Sequence, residues 1–166
     1  MKNLLSVRAG FILAAMTACA ALATPGYAQT KTNAGTWVLT CKDKKKPSSC
    51  EASYAVADKK KNTVLSWSLR YNDKKVLVST VNVPHGVLLT KGVNVKWPNG
   101  TALKADYRVC RRETGCSANV PVPKDIQKIA KAGKGAVLFT IYSLAGKDFT
   151  LGVPIKGLDK ALSKMK

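Results

Sequence analysis

The sequence predicts a mainly β chain, an antiparallel sandwich or barrel, on three observations. Short alternating segments follow one another from position 37 to 109, each closed by turn residues. One of them, 64–71, sets Leu65, Trp67, Leu69 and Tyr71 on one face against Ser66, Ser68 and Arg70 on the other. Cysteines at 41, 50, 110 and 116 stand behind an export-type leader, the pattern of a disulfide-stapled exported domain.

The leader comes first. Lys2 and Arg8 flank the start of an apolar run from 9 to 23, and Gly26-Tyr27-Ala28 places small residues before a cut after Ala28. Residues 1–28 therefore read as a signal peptide, too short for a membrane anchor. Met16-Thr17-Ala18-Cys19 loosely resembles a lipobox, so lipidation at Cys19 is the competing processing route. Losing Lys2 and Arg8 takes the formal net charge from +19 to +17. Residues 29–35 are expected to be a disordered polar leader. Residues 36–166 are expected to form one domain, since 46% hydrophobic residues suffice for a core and neither linker nor repeat divides them.

Strands are expected at 37–40, 50–57, 64–71, 75–83 and 93–97, the last followed by a Pro98-Asn99-Gly100 turn into a strand at 101–109. The period then changes. Pro123, Ile126, Ile129, Ala130 and a Gly133 stop predict a short helix over 123–132. The run 137–142 reads as a fully apolar central strand, and 149–153 as its neighbour. Leu158, Ala161, Leu162 and Met165 recur at helical spacing and predict a closing amphipathic helix. The expected core includes Trp37, Leu65, Trp67, Leu69, Leu138 and Phe139, with Leu158 and Leu162 packed against it; Trp97 also reads as core.

Four cysteines outside the leader allow three pairings. The local one, Cys41–Cys50 with Cys110–Cys116, is favoured, and each small loop would contribute roughly 2–3 kcal/mol. Zinc is not expected: the spacings are too wide for a knuckle, and the only histidine, His85, lies between Pro84 and Gly86.

The cations are uneven. Lys42, Lys44, Lys45 and Lys46 lie between the first two cysteines, Lys59, Lys60 and Lys61 between the second and third strands, Lys74 and Lys75 in the next connection, and Arg111 and Arg112 in the second cysteine loop. If the strands meander, the first and third groups share one end. Catalytic signatures are missing: no Gly-x-Ser-x-Gly elbow, no His-Glu-x-x-His, no phosphate-cradling glycine loop, and nine scattered acids without an evident pair. Nucleic acid fits the charge, but no aromatic-interleaved stacking motif accompanies the lysines, so it is not expected as a physiological partner.

Several motifs agree in order with a known family. They are Trp37-Val38-Leu39-Thr40-Cys41, a cysteine nine residues on, and Val83-Pro84-His85-Gly86-Val87 with Gly92-Val93. Tyr107-x-x-Cys110, Gly115-Cys116-x-Ala118 and Val153-Pro154-Ile155-Lys156-Gly157-Leu158-x-x-Ala161-Leu162 complete the series. In that order the chain resembles the invasion-associated locus B family of Gram-negative envelope proteins. The resemblance implies an immunoglobulin-like β-sandwich with two local disulfides and an association with host-cell invasion.

The expected function is that of an exported non-enzymatic protein, in the periplasm or at the outer membrane or outside it, without metal or cofactor. Its expected partners are anionic polymers or lipopolysaccharide, a host-cell surface, and peripheral membrane contacts. Lys44, Lys45, Lys46, Lys74 and Lys75 form the first candidate patch, and Arg111 and Arg112 the second. The competing class is an exported hydrolase or accessory factor, which a pocket of convergent carboxylates would favour.

Overall fold

The computed structural model describes residues 30–34, 37–43 and 45–165. The segment expected to be a signal peptide (1–28), with Cys19, and Lys44 lie outside the described residues. The chain forms two antiparallel sheets packed face to face. The large sheet has the order β1-β2-β3-β4-β5-β9-β8 and the small sheet β11-β10-β6-β7. Here β1 is Thr30–Ala34, β2 Trp37–Cys41, β3 Cys50–Ala57, β4 Thr63–Tyr71, β5 Leu77–Val83, β6 Val93–Lys96, β7 Ala102–Ala105, β8 Tyr107–Arg111, β9 Gly115–Asn119, β10 Ala136–Tyr142 and β11 Asp148–Pro154. Helix α1, Ile126–Ala132, joins the sheets, and α2, Leu158–Ser163, closes the chain.

The first five strands are a meander, and in β2 to β5 Trp37, Leu39, Ala52, Leu65, Trp67, Leu69 and Val81 are buried on one face while Ser53, Ser66, Ser68 and Thr80 lie on the other. The sandwich expectation holds. The immunoglobulin-like label is approximate, because a five-strand meander extended by the β8–β9 hairpin is not that fold's strand order.

The core is aromatic at its centre. Trp67 of β4 meets Trp37, Trp97 and Phe139 edge-on, at centroid distances of 5.2, 5.6 and 5.3 Å. All four rings are buried. Such contacts add to a large area burial and fix the distance between sheets. Trp37 donates its indole N–H to the Pro154 carbonyl at 3.1 Å, and Trp67 donates to the Ser79 hydroxyl, so the cluster is tied to its walls.

Four expectations need correction. Residues 29–35 were expected to be disordered, but Thr30–Ala34 pairs along β2 in register from Thr30↔Cys41 to Ala34↔Trp37. A polar, threonine-bearing segment suits a sheet edge, and pairing there occupies the open hydrogen bonds of β2. The expected strand 101–109 is two strands. At Asp106 the chain leaves the small sheet and enters the large one, which alternation alone does not signal. The strand β9 was not expected at all; its Gly-Cys-Ser-Ala-Asn sequence has little strand propensity and is held by pairing with β5 and β8. Leu138 is not core: it is 38% exposed, on the outer face of β10, while Val137, Phe139 and Ile141 point inward. There its side chain lies against Gly152 of β11.

Helix α1 begins three residues after Pro123 and stops at Gly133, whose φ of +61° is a left-handed cap. Leu158, Ala161, Leu162 and Met165 are buried, as their spacing predicts.

Candidate functional site

The ladders fix which hairpins share an end. Strands β2 and β4 run toward the loop 42–49 and the turn 72–76, so both lie at one end of the large sheet. Lys42, Lys45, Lys46, Lys74 and Lys75 are exposed there. The turn 58–62, bearing Lys59, Lys60 and Lys61, lies at the opposite end with Arg111, Arg112 and His85. The two candidate patches are thus separate, one at each end of the sandwich.

Local hydrogen bonding explains why these lysines point outward. In 42–49 the Asp43 carboxylate accepts the Lys45 N–H at 2.9 Å, and the Ser49 hydroxyl accepts the Asp43 N–H at 3.0 Å. A short 3-10 turn, Pro47–Ser49, returns the chain to β3. The turns 58–62 and 72–76 are built alike. The Asp58 carboxylate accepts the N–H groups of Lys60 and Asn62 at 2.8 and 2.9 Å, while the Asn72 side-chain carbonyl accepts those of Lys74 and Val76 at 3.1 and 2.9 Å. Hydrogen bonds from Asn62 hold the Asp58 carboxyl below the usual carboxylate range. Each turn places a lysine in the left-handed region, Lys61 at φ +66° and Lys75 at +58°. Glycine or asparagine is the ordinary residue there, so a lysine at the same site of both turns keeps charge at a conformational cost.

Asp43 organises its own loop, and the described ion pair, Lys104 with Asp106 at 3.4 Å, lies at the start of the crossing from β7 to β8. Between 42–49 and 72–76 opens a cleft of about 610 Å³ whose lining includes Lys42, Arg70, Tyr71, Glu51 and Asp73. Glu51 and Arg70 face each other across β3 and β4. Sequence reasoning missed that Glu51 and Asp73 line one cleft. The register of 50–57 against 64–71 sets Glu51 opposite Arg70, three residues before Asp73, and the search for acid pairs did not use it.

Both disulfides staple directly opposed residues of neighbouring strands. Cys41–Cys50 and Cys110–Cys116 each have Cα atoms 3.9 Å apart. The first closes the lysine-bearing loop; the second closes the hairpin of Arg111 and Arg112. That hairpin needs Gly115, because a Cβ there would lie 2.1 Å from the Val83 carbonyl oxygen. His85 is exposed, with Nε2 3.2 Å from the Arg112 carbonyl oxygen, and it fastens the β5 exit to the hairpin. Among the described residues no group of three or more His, Cys, Asp or Glu is placed to hold a metal, and no helix is long and apolar enough to cross a membrane.

Comparison with known proteins adds three findings. A family model described as Invasion associated locus B (IalB) protein matches residues 37–166. The crystal structure of invasion associated protein B from Bartonella henselae is similar in fold, with a TM-score of 0.68 at 21% identity, covering 82% of this chain and 95% of that one. No curated protein matches the chain.

Proposed function

The chain belongs to the invasion associated locus B family, and on that premise we propose that it is an exported, non-enzymatic binding protein whose lysine-bearing end captures anionic groups of an envelope or host-cell surface. One observation carries the reading. Lys42, Lys45, Lys46, Lys74 and Lys75 are gathered, exposed, on two loops at one end of the large sheet. A formal net charge of +19 on 166 residues, +17 without Lys2 and Arg8, draws anionic ligands to it over a long range. Two disulfides support export, since they persist in oxidising compartments. Lipopolysaccharide phosphates and acidic polysaccharides both fit such an end.

The cleft that Glu51 and Asp73 both line favours a hydrolytic alternative. Its wall argues for binding instead. A carboxyl acting as acid needs apolar surroundings, whereas these two share a lining with Lys42, Arg70, Thr40 and Ser49.

The test is binding of the mature protein to heparin and to lipopolysaccharide at graded salt, beside the variant Lys45→Glu, Lys46→Glu, Lys74→Glu. Wild type should lose affinity steeply as the screening length falls from about 10 Å at 0.1 M to about 3 Å at 1 M. The variant should bind much more weakly with an unchanged unfolding midpoint. Equal binding by the variant, or indifference to salt, would refute the reading.

A further inference from the structure

The chain carries 28 Lys and Arg, yet the middle of the large sheet's outer face has none of them. The register sets Ser68, Thr80 and Asn119 in one row across β4, β5 and β9, and Ser66, Asn82 and Ser117 in the row beside it. All six face away from the core, because their strand neighbours Leu65, Trp67, Val81, Cys116 and Ala118 are buried. Within one row the Ser117 hydroxyl donates to Asn82, whose amide N–H donates to the Ser66 hydroxyl at 3.5 Å. In the other row the side chains of Ser68, Thr80 and Asn119 hydrogen-bond to no described residue and stay open to a ligand.

Cations stand at both ends of this floor. Arg70 and Arg108 line a cleft of about 530 Å³ that reaches Thr80 and Asn119. Arg112, with Glu113 beside it, lines another of about 340 Å³ that reaches Ser66 and Asn82. At a strand rise near 3.4 Å per residue the two ends lie roughly 20 Å apart. The middle is therefore neutral and rich in donors and acceptors, and the ends offer guanidinium forks suited to carboxylate or sulfate.

We propose that this face is the track of a linear acidic polysaccharide: the Ser/Thr/Asn floor takes ring hydroxyls, and the arginines at either end take acid groups. Other occupants fit less well. Of the exposed large hydrophobics only Val109 borders this face, at its β8 edge, so an acyl chain or the apolar centre of a protein interface finds little to cover. No aromatic ring stands on the floor to stack a nucleobase. The inference deepens the anion-binding reading by giving the polymer a path and a chemical class. Apart from Arg70, which also lines the cleft at the lysine-bearing end, it uses residues that the lysine-bearing end does not.

The test compares two probes on the mature protein: heparin oligosaccharides, which carry acid groups and hydroxyls, and inorganic polyphosphate, which carries charge alone. The variant Ser66→Ala, Asn82→Ala, Asn119→Ala changes no charge. It should weaken heparin oligosaccharide binding by about tenfold or more and leave polyphosphate binding unchanged. Unaltered heparin binding would overturn the proposal, as would an equal loss of both probes in a variant with wild-type near-ultraviolet circular dichroism. If the variant misfolds, amide shifts of the wild-type protein decide: heparin oligosaccharide must perturb β4, β5 and β9, and shifts confined to 42–49 and 72–76 would refute the track. The lysine variant separates the two readings. It should lose both probes, and a track that fails while that loss stands leaves the proposed function intact.

Discussion

The interior between the sheets and the two ends of the sandwich obey opposite rules. Inside, Trp37, Trp67, Trp97 and Phe139 form one edge-on cluster, and Ser79 is the one buried polar residue among those described. At the ends the residues are lysine and arginine on tight turns, exposed, two of them in a backbone region that lysine seldom adopts. Interior choices maximise contact, while end choices give up a little stability to hold charge in place. The comparison predicts that stability and binding respond to different residues.

The largest expected effect belongs to the interior. Trp67→Ala removes the ring that three others touch and should cost about 3–5 kcal/mol, read from the denaturant midpoint. Heparin affinity of the fraction still folded should not change. A large affinity loss at full folding would break the separation of the two regions.

The disulfides sit where the regions meet. Replacing Cys41 and Cys50 together by alanine should cost roughly 2–3 kcal/mol and also weaken polyanion binding, because that bond closes the loop of Lys42, Lys45 and Lys46. Replacing Cys110 and Cys116 should cost a similar amount and leave the lysine end untouched. Equal binding losses from the two pairs, measured under equal folding, would mean that the ends are coupled.

Much of this division is legible in the sequence, and the failures have a common cause. Alternation in 64–71 names its inward residues because a sheet with one wet face imposes a period of two. The lysine groups fall at hairpin tips because turns are where a meander meets water. Where the chain changes partner, the pattern is silent: β7 and β8 alternate straight through Asp106 while belonging to different sheets. Leu138 misleads for the same reason, since an apolar run does not say that one of its faces lacks a covering layer. The Ser/Thr/Asn floor is invisible in one dimension, because its members come from three strands up to 53 positions apart, from Ser66 to Asn119.

Lys75 offers a sharper probe of the trade at the ends. Lys75→Gly relieves a left-handed lysine and should raise stability by up to about 1 kcal/mol, measured by thermal or chemical unfolding. It should also weaken heparin binding. Stabilisation without any loss of binding would show that this lysine is not held there for its charge.

The smallest effect is expected at Tyr107, on the border between core and edge. Its hydroxyl is buried and has no partner among the described residues. Burial raises its pKa from 10.0 to about 12, since the phenolate would be poorly solvated. The folded chain therefore keeps this proton at pH values where the unfolded chain has released it. The stability linked to it is complete below pH 10 and drains away as pH rises through about 12. Tyr107→Phe removes both the unpaired hydroxyl and the titration. At neutral pH it should be neutral or stabilising by about 1 kcal/mol, because an unsatisfied buried hydroxyl is lost together with nothing that needs it. Between pH 10 and about 12 its stability should fall less than that of wild type, in urea midpoints taken across that window. Parallel curves for the two proteins would mean that water reaches the hydroxyl, and that the interior ends one residue short of Tyr107.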